Sequence, residues 1–245
     1  MHIKEILQTI GHRPWELPEG KWRYYQEWNQ AIFLHWKVDV KQLRELVPQE
    51  LEIDLFEGDG WVSVVAFTME KIRPRNLPPF SPISNFHELN IRTYVRYRGK
   101  PGVYFLSIEG GTKISCQVAR KMSDLPYRYS AIKRNKNGYT AENKDYNDYL
   151  NLSFQIEKPI LQKSTLDKWL TERYVLYQET SKFINEFEIH HEEWPIHNIV
   201  LSKEVVNYPK FKKLLNSEPV KRHYSPGVKV IAWGKKQYAR NLLDK

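Results

Sequence analysis

Asn85 to Arg98 runs as a long alternating pattern, turns at Gly99-Lys100-Pro101-Gly102, and returns as Val103 to Glu109. Such a pair reads as an antiparallel hairpin. The same grammar recurs along the chain. Leu51 to Phe56 and Trp61 to Ile72 flank Glu57-Gly58-Asp59-Gly60 and read as a second hairpin. Pro126 to Arg134 and Tyr139 onward flank Asn137-Gly138, a type I′ turn signal, and predict a third. Further strands are expected at Gln30 to Val38, Tyr149 to Glu157, Tyr174 to Gln178, Phe183 to His191 and Val228 to Trp233.

Helices enter singly between these strands. One short helix falls within residues 1–10. Asp39 reads as an N-cap, and Val40, Leu43, Leu46 and Val47 follow at helical spacing until Pro48. Thr112 to Met122 carries Ile114, Val118 and Met122 at four-residue steps. Thr165 to Arg173 fits a helix, and Leu201 to Leu215 reads as partly helical with a break at Pro209. The class is therefore α+β, a mainly antiparallel β-barrel or strongly curved sheet with a few short inserted helices. Closure would remove exposed strand edges. No repeat or linker interrupts the chain, so 1–245 reads as a single domain. The proline-rich stretch Pro74 to Pro82 is expected to be a loop crossing a barrel end.

Hydrophobic residues make up 41% and aromatic residues 13%, enough for a packed core. With Cys116 the one cysteine, no internal disulfide can form. The start, Met1-His2-Ile3-Lys4-Glu5, lacks the pattern of a signal peptide, and no apolar run approaches the ~20 residues of a membrane helix. These features lead to expecting a cytoplasmic protein that does not span a membrane. The net charge of +9 admits a nucleic-acid-associated protein as an alternative. Its excess lysines and arginines are scattered, however, around Lys133, Lys210 and Lys235, and no nucleic-acid-binding motif accompanies them.

Two segments carry a resemblance. Leu43-Arg44-Glu45-Leu46-Val47-Pro48-Gln49-Glu50-Leu51-Glu52-Ile53-Asp54 resembles a stretch of the acetoacetate decarboxylases, and Ala119-Arg120 through Pro126-Tyr127-Arg128 resembles their arginine–proline–lysine segment. Over nearly the whole chain, Phe33-Leu34-His35-Trp36, Glu88 to Val95, Pro101 to Phe105 and Glu188 to Pro195 resemble the uncharacterised YqjF-like family of the acetoacetate-decarboxylase-like superfamily. The resemblance implies that fold. It also implies a departure. Tyr127 stands where the decarboxylases carry their Schiff-base lysine, and a phenol forms no imine. Their strand-borne glutamate falls at Glu88, which is kept, and an arginine near their first strand falls at about Asn29.

Alternation along Phe86 to Arg92 puts Glu88, Asn90 and Arg92 on one face. Three polar groups inside a barrel require partners, water or a ligand; the other reading is an exposed charge ladder. Arg120 suits bidentate carboxylate binding, either of a ligand or of Glu88 or Glu109. Tyr127 can donate to a ligand carbonyl or simply pack. His35 reads as a general base or as a hydrogen-bonded core residue. His190 and His191 are adjacent on a strand and so point apart, which argues against a shared ion with His197. Cys116 reads as a small buried hydrophobe and Gly110-Gly111 as a turn.

The expected site is one enclosed cavity lined by Glu88, Arg92, Arg120 and Tyr127, with aromatic walls from Trp36 and Tyr104. Glu88 is the candidate catalytic residue. The expected ligand is a small polar or anionic metabolite, with no cofactor and no metal. The enzymatic alternative acts on a small oxo- or hydroxy-acid without a Schiff base. Oligomeric state is not legible in the sequence.

Overall fold

The computed structural model describes residues 3–240. After helix α1 (Ile3–Gln8) the chain enters the long strand β1 (Tyr24–Val38). Asp39 then caps α2 (Val40–Arg44), its carboxylate accepting from the Gln42 amide at 2.9 Å. The helix stops at Arg44, earlier than the spacing predicts, because the Arg44 guanidinium turns back onto the carbonyls of Val47 and Leu51. Short β2 (Glu52–Ile53) leads through a turn with left-handed Glu57 and Gly58 into β3 (Gly60–Pro74).

The proline-rich loop contains α3 (Ser81–Ser84) and delivers the chain to β4 (Phe86–Tyr97) and β5 (Lys100–Gly110). These two form the expected hairpin, with its tight turn at Arg98-Gly99, both at positive φ, one residue earlier than the glycines alone indicate. Helix α4 (Lys113–Ser123) is capped by Thr112. Then come β6 (Tyr127–Tyr129), β7 (Ala131–Asn135), β8 (Gly138–Asn143) and β9 (Asp148–Pro159). A capping box between Ser164 and Asp167 starts α5 (Thr165–Thr171). The chain closes with β10 (Val175–Glu179), β11 (Phe183–His190), β12 (His197–Asn207), β13 (Lys221–Ala232) and β14 (Lys236–Ala239).

Three local readings are corrected. β2 pairs with β4 rather than with β3, because both edges of β3 are taken by β1 and β4. The β7–β8 turn is centred on Lys136-Asn137, since Asn135 pairs with Gly138, and no positive φ occurs there. Residues 197–207 form a strand instead of a helix; Ile199, Val200, Val205 and Val206 are β-branched and fit a pleated surface paired to β9.

The sheet is mixed and strongly curved. Most pairs are antiparallel, while β5 runs parallel to β10 and β6. Ladder pairing runs β11–β10–β5–β4–β3–β1–β13, and two further pairs, Ile189 with Ala232 and His190 with Ile231, join β13 back to β11. Seven strands therefore close on themselves. β13 forks: its other half pairs with β12, from which β9, β8 and β7 continue as an outer layer.

Both faces of the ring are covered. Inward-facing Phe33, Val65, Phe67, Ile108, Val228 and Val230 pack with Trp194 and Tyr127, and every ring strand contributes to this cluster. Outward-facing Ile32, Leu34, Trp36, Val64, Leu89 and Ile91 pack under Tyr139, Leu150, Leu152 and Phe154 of the outer layer. Each fully buried side chain of this size contributes roughly 1.5–3 kcal/mol. No helix among the described residues is long and apolar enough to cross a membrane.

Candidate functional site

The ladder register sorts the site residues by face. Trp36, Val62, Thr93 and Tyr104 are neighbours across four strands and form one row. His35, Ser63, Arg92 and Phe105 form the next row, which points the opposite way. The inward row belongs to the ring interior. Glu88, Asn90 and Arg92 thus face inward together, on a strand whose residues from Glu88 to Val95 are all buried.

Tyr127 enters from β6 and its hydroxyl donates to Glu88 Oε2 at 2.8 Å. Asn90 Nδ2 stands 3.4 Å from Glu88 Oε1, and Asn90 Oδ1 has no protein partner. Burial pushes the Glu88 carboxyl up to about 7, against the hydrogen bonds from Tyr127 and Asn90. Near neutrality it can therefore either hold or release a proton. Arg92 stacks on Phe33 and Tyr94, at 5.8 and 6.0 Å, and donates Nη2 to the Leu170 carbonyl at 3.2 Å. Its Nε has no protein partner, and among the described residues no carboxylate forms an ion pair with it.

The single six-residue cavity is corrected. Trp36 and Tyr104 lie in the outer core: the Trp36 indole donates to the Ser217 carbonyl at 2.8 Å, and the Tyr104 hydroxyl to Glu179 at 2.9 Å. The ladder register places them across the sheet from Glu88. Arg120 is exposed on α4 and donates to the Tyr127 carbonyl at 2.7 Å. It holds the segment that carries Tyr127 and does not reach the interior stripe. Glu88, Arg92 and Tyr127 remain together inside.

At the Arg92 end lies a chain of polar groups with no local sequence motif. Asp167 Oδ1 is 3.0 Å from His223 Nε2, and His223 Nδ1 is 3.3 Å from His35 Nε2. His35 Nδ1 is 2.6 Å from Ser63 Oγ, which is 2.6 Å from the Tyr94 hydroxyl. All five residues are at most 3% exposed. Burial, with the charges of His223 and Arg92, holds His35 well below its ordinary value, so its ring is neutral. Burial opposes ionisation of Asp167, but hydrogen bonds from His223, Lys221 and Ser164 keep it well below the usual carboxylate range.

Other candidates are tied up structurally. His190, His191 and His197 each direct a ring nitrogen at a backbone carbonyl, of Ile6, Glu192 and Glu157 respectively. One nitrogen of each ring is thereby engaged with the backbone, while His190 Nδ1 has no protein partner. Among the described residues no group of three or more His, Cys, Asp or Glu is arranged to hold a metal. Burial pushes the Cys116 thiol up to about 11, which leaves it a poor nucleophile. Glu109 pairs with Arg128 instead of Arg120. Two surface cavities, about 650 and 590 Å³, flank Glu27 on the outside of the fold.

Comparison with known proteins places these observations. The family model DUF2071, described as an uncharacterized conserved protein, matches residues 25–229. The uncharacterized protein YqjF of Bacillus subtilis (strain 168) is 37% identical over 226 residues, covering 89% of this chain and 93% of that protein. Among solved structures, an acetoacetate decarboxylase-like enzyme from Sphingomonas wittichii RW1 superposes with TM-score 0.63 at 11% identity, covering 90% of this chain and 94% of that one. The acetoacetate decarboxylase from Legionella pneumophila gives 0.60 at 12% identity, covering 94% and 95%. The enduracididine biosynthesis enzyme MppR, complexed with pyruvate, gives 0.61 at 12% identity, covering 92% and 93%. The shared fold is acetoacetate decarboxylase-like.

Proposed function

We propose that this chain, which belongs to the uncharacterized conserved family DUF2071, is a one-domain small-molecule-binding protein whose ligand is a small carboxylic acid held inside the strand ring. One observation carries the reading. Arg92 is 8% exposed, its Nε is unpartnered, and among the described residues no carboxylate forms an ion pair with it. A buried guanidinium without a counter-charge is expensive, and an anionic guest would relieve that expense. Asn90 Oδ1, also unpartnered, and the Glu88–Tyr127 pair offer a donor–acceptor set further along the same face. Fold neighbours add support: one is an enzyme complexed with pyruvate. Tyr127 in place of a lysine separates this reading from imine chemistry.

Thermal-shift measurements with pyruvate, acetoacetate and lactate, against chloride at matched ionic strength, test it. A guest that prefers the native state raises the melting temperature as its concentration rises. At least one acid is expected to do so with the wild type and not with Arg92→Met. A flat response to all three acids would end the proposal.

A further inference from the structure

The chain Asp167–His223–His35–Ser63–Tyr94 has a direction that its end groups dictate. An ionised Asp167 only accepts, so His223 carries its proton on Nε2, 3.0 Å away. In the tautomer that leaves His223 Nδ1 bare, that nitrogen accepts from His35 Nε2–H at 3.3 Å. His35 Nδ1 is then bare as well, and it accepts from the Ser63 hydroxyl at 2.6 Å. Ser63 in turn accepts from Tyr94 at 2.6 Å. Every proton points toward Asp167.

One added proton reverses the upper half. His35 Nδ1–H then donates to Ser63, Ser63 to Tyr94, and Tyr94 to the Leu170 carbonyl at 2.9 Å. The extra charge sits in the imidazole pair beside Asp167. Both states satisfy the same atoms in the same places, so the relay takes up or releases one proton without moving a side chain.

We infer that this relay is an acid–base catalytic centre, with Ser63 and His35 at its substrate end, that removes the proton next to the carbonyl of a small 2-oxo acid held at Arg92. The inference rests on the binding reading above for its substrate. Ser63 is the direct cross-strand partner of Arg92, so a carboxylate on the unpaired Nε lies beside the relay and remote from Tyr127. The base, its hydroxyl and its orienting groups stand in the order that nucleophile and proton-transfer sites require, with one imidazole interposed.

In the step, the C3–H bond breaks and its electron pair forms an enolate. The substrate proton passes to Ser63 Oγ as the serine proton passes to His35 Nδ1. Arg92 faces the developing negative charge. Reversal returns a proton, or a deuteron in heavy water, and no other reactant is needed. The charged and titratable groups around the pair are Asp167 on α5, Lys221 on β13, Arg92 and Tyr94 on β4, and Ser63 on β3. The Lys221 amine, 2.8 Å from Asp167 and 36% exposed, marks where the relay approaches solvent.

The test uses 2-oxobutyrate in heavy water, with C3 deuteration followed by proton NMR. The wild type is expected to accelerate exchange on the order of 100-fold over buffer, and His35→Gln to return it to background. Exchange kept by His35→Gln but lost in Glu88→Gln would make Glu88 the base and overturn the relay. Exchange at background while 2-oxobutyrate still raises the melting temperature would also overturn it, leaving binding intact. Nitrogen-15 NMR of the wild-type histidines covers the case in which His35→Gln fails to fold. His35 is expected as the Nε2–H tautomer at neutral pH, with the His223 Nε2 proton directed at Asp167. An Nδ1–H tautomer of His35 at neutral pH would refute the relay.

Discussion

The Tyr127 hydroxyl donates to Glu88 Oε2 at 2.8 Å inside a closed ring of strands, and among the described residues no cation pairs with that carboxyl. A carboxyl whose only support is neutral groups behaves differently from one beside a lysine. Burial raises it to about 7, where a neighbouring ammonium would have lowered it.

Stability should report this directly. Glu88 binds its proton more tightly when folded than when unfolded, so ionising it above pH 7 weakens the fold. Glu88→Gln removes that penalty, and the amide can donate to the unpartnered Asn90 Oδ1. The variant is expected to be more stable than the wild type at pH 8 by ~2–3 kcal/mol. The advantage should shrink as pH falls through about 7 and vanish below the unfolded carboxylate value of about 4.5. Urea melts at pH 8, 6 and 4.5 measure it; an equal difference at all three would show that Glu88 is not a buried, proton-sharing acid.

Imine formation should not occur at the interior site. Tyr127 is buried against Glu88, and the lysine nearest the motif, Lys121, is exposed on α4. Acetoacetate followed by borohydride is expected to leave the intact mass unchanged. A reduced adduct on a lysine, with release of carbon dioxide, would contradict this.

Much of this was legible in the sequence, and the misses have a common cause. Gly99-Lys100-Pro101-Gly102 between two strand patterns made the β4–β5 hairpin visible, and alternation grouped Glu88, Asn90 and Arg92 on one face. Alternation along one strand could not separate Trp36 and Tyr104 from Glu88, because they lie on other strands and only the ladder register relates them. Both faces of the ring are buried here, so an aromatic residue is at home on either. Arg120 was read as a ligand contact because its neighbours resembled a catalytic segment; the helix instead leaves it outside. His223 and Asp167 could not be linked to His35 at all. They meet it only through the closed ladder, 188 residues away in one case, and no local spacing records that.

Close packing at Gly110 gives a prediction about the same wall. A Cβ there would lie 2.6 Å from Cys116 Sγ, the thiol that packs between β5 and β6. Gly110→Ala is expected to destabilise by ~1–3 kcal/mol. Removing the sulfur with Cys116→Ala makes room, so the double variant should be less destabilised than the sum of the two single ones. Strict additivity in thermal melts would mean that the backbone, not the thiol, sets the limit.

The buried pair of Arg173 and Asp54, 2.7 Å apart, ties the end of α5 to the end of β2 and thereby frames the relay. Arg173 is buried, and burial lowers its hold on the proton while Asp54 raises it. Asp54→Asn leaves that charge uncompensated and is expected to lose ~3–5 kcal/mol. Arg173→Met with Asp54→Leu removes both charges, and should recover much of the loss because no buried lone ion remains; Arg96, the second partner of Asp54, is part-exposed. A double variant as unstable as Asp54→Asn would place the role of these side chains in packing rather than charge.

Acid should destabilise the fold through its histidines. Burial lowers His35, His87 and His191, and takes His190 down to about 4. Each is neutral when folded, while the unfolded chain takes up protons near pH 6.5. The unfolded state therefore binds more protons as pH falls from about 7, and stability falls with it. Glu88 acts in the opposite sense over part of that range, since its folded carboxyl gains a proton before its unfolded one does. The wild type is expected to lose stability between pH 7 and 5 despite that offset, and Glu88→Gln to lose it more steeply. His190→Gln, which keeps a donor for the Ile6 carbonyl, should flatten the decline. Denaturant melts across this range decide the matter: stability that rises on acidification would mean that these rings are already protonated in the native state.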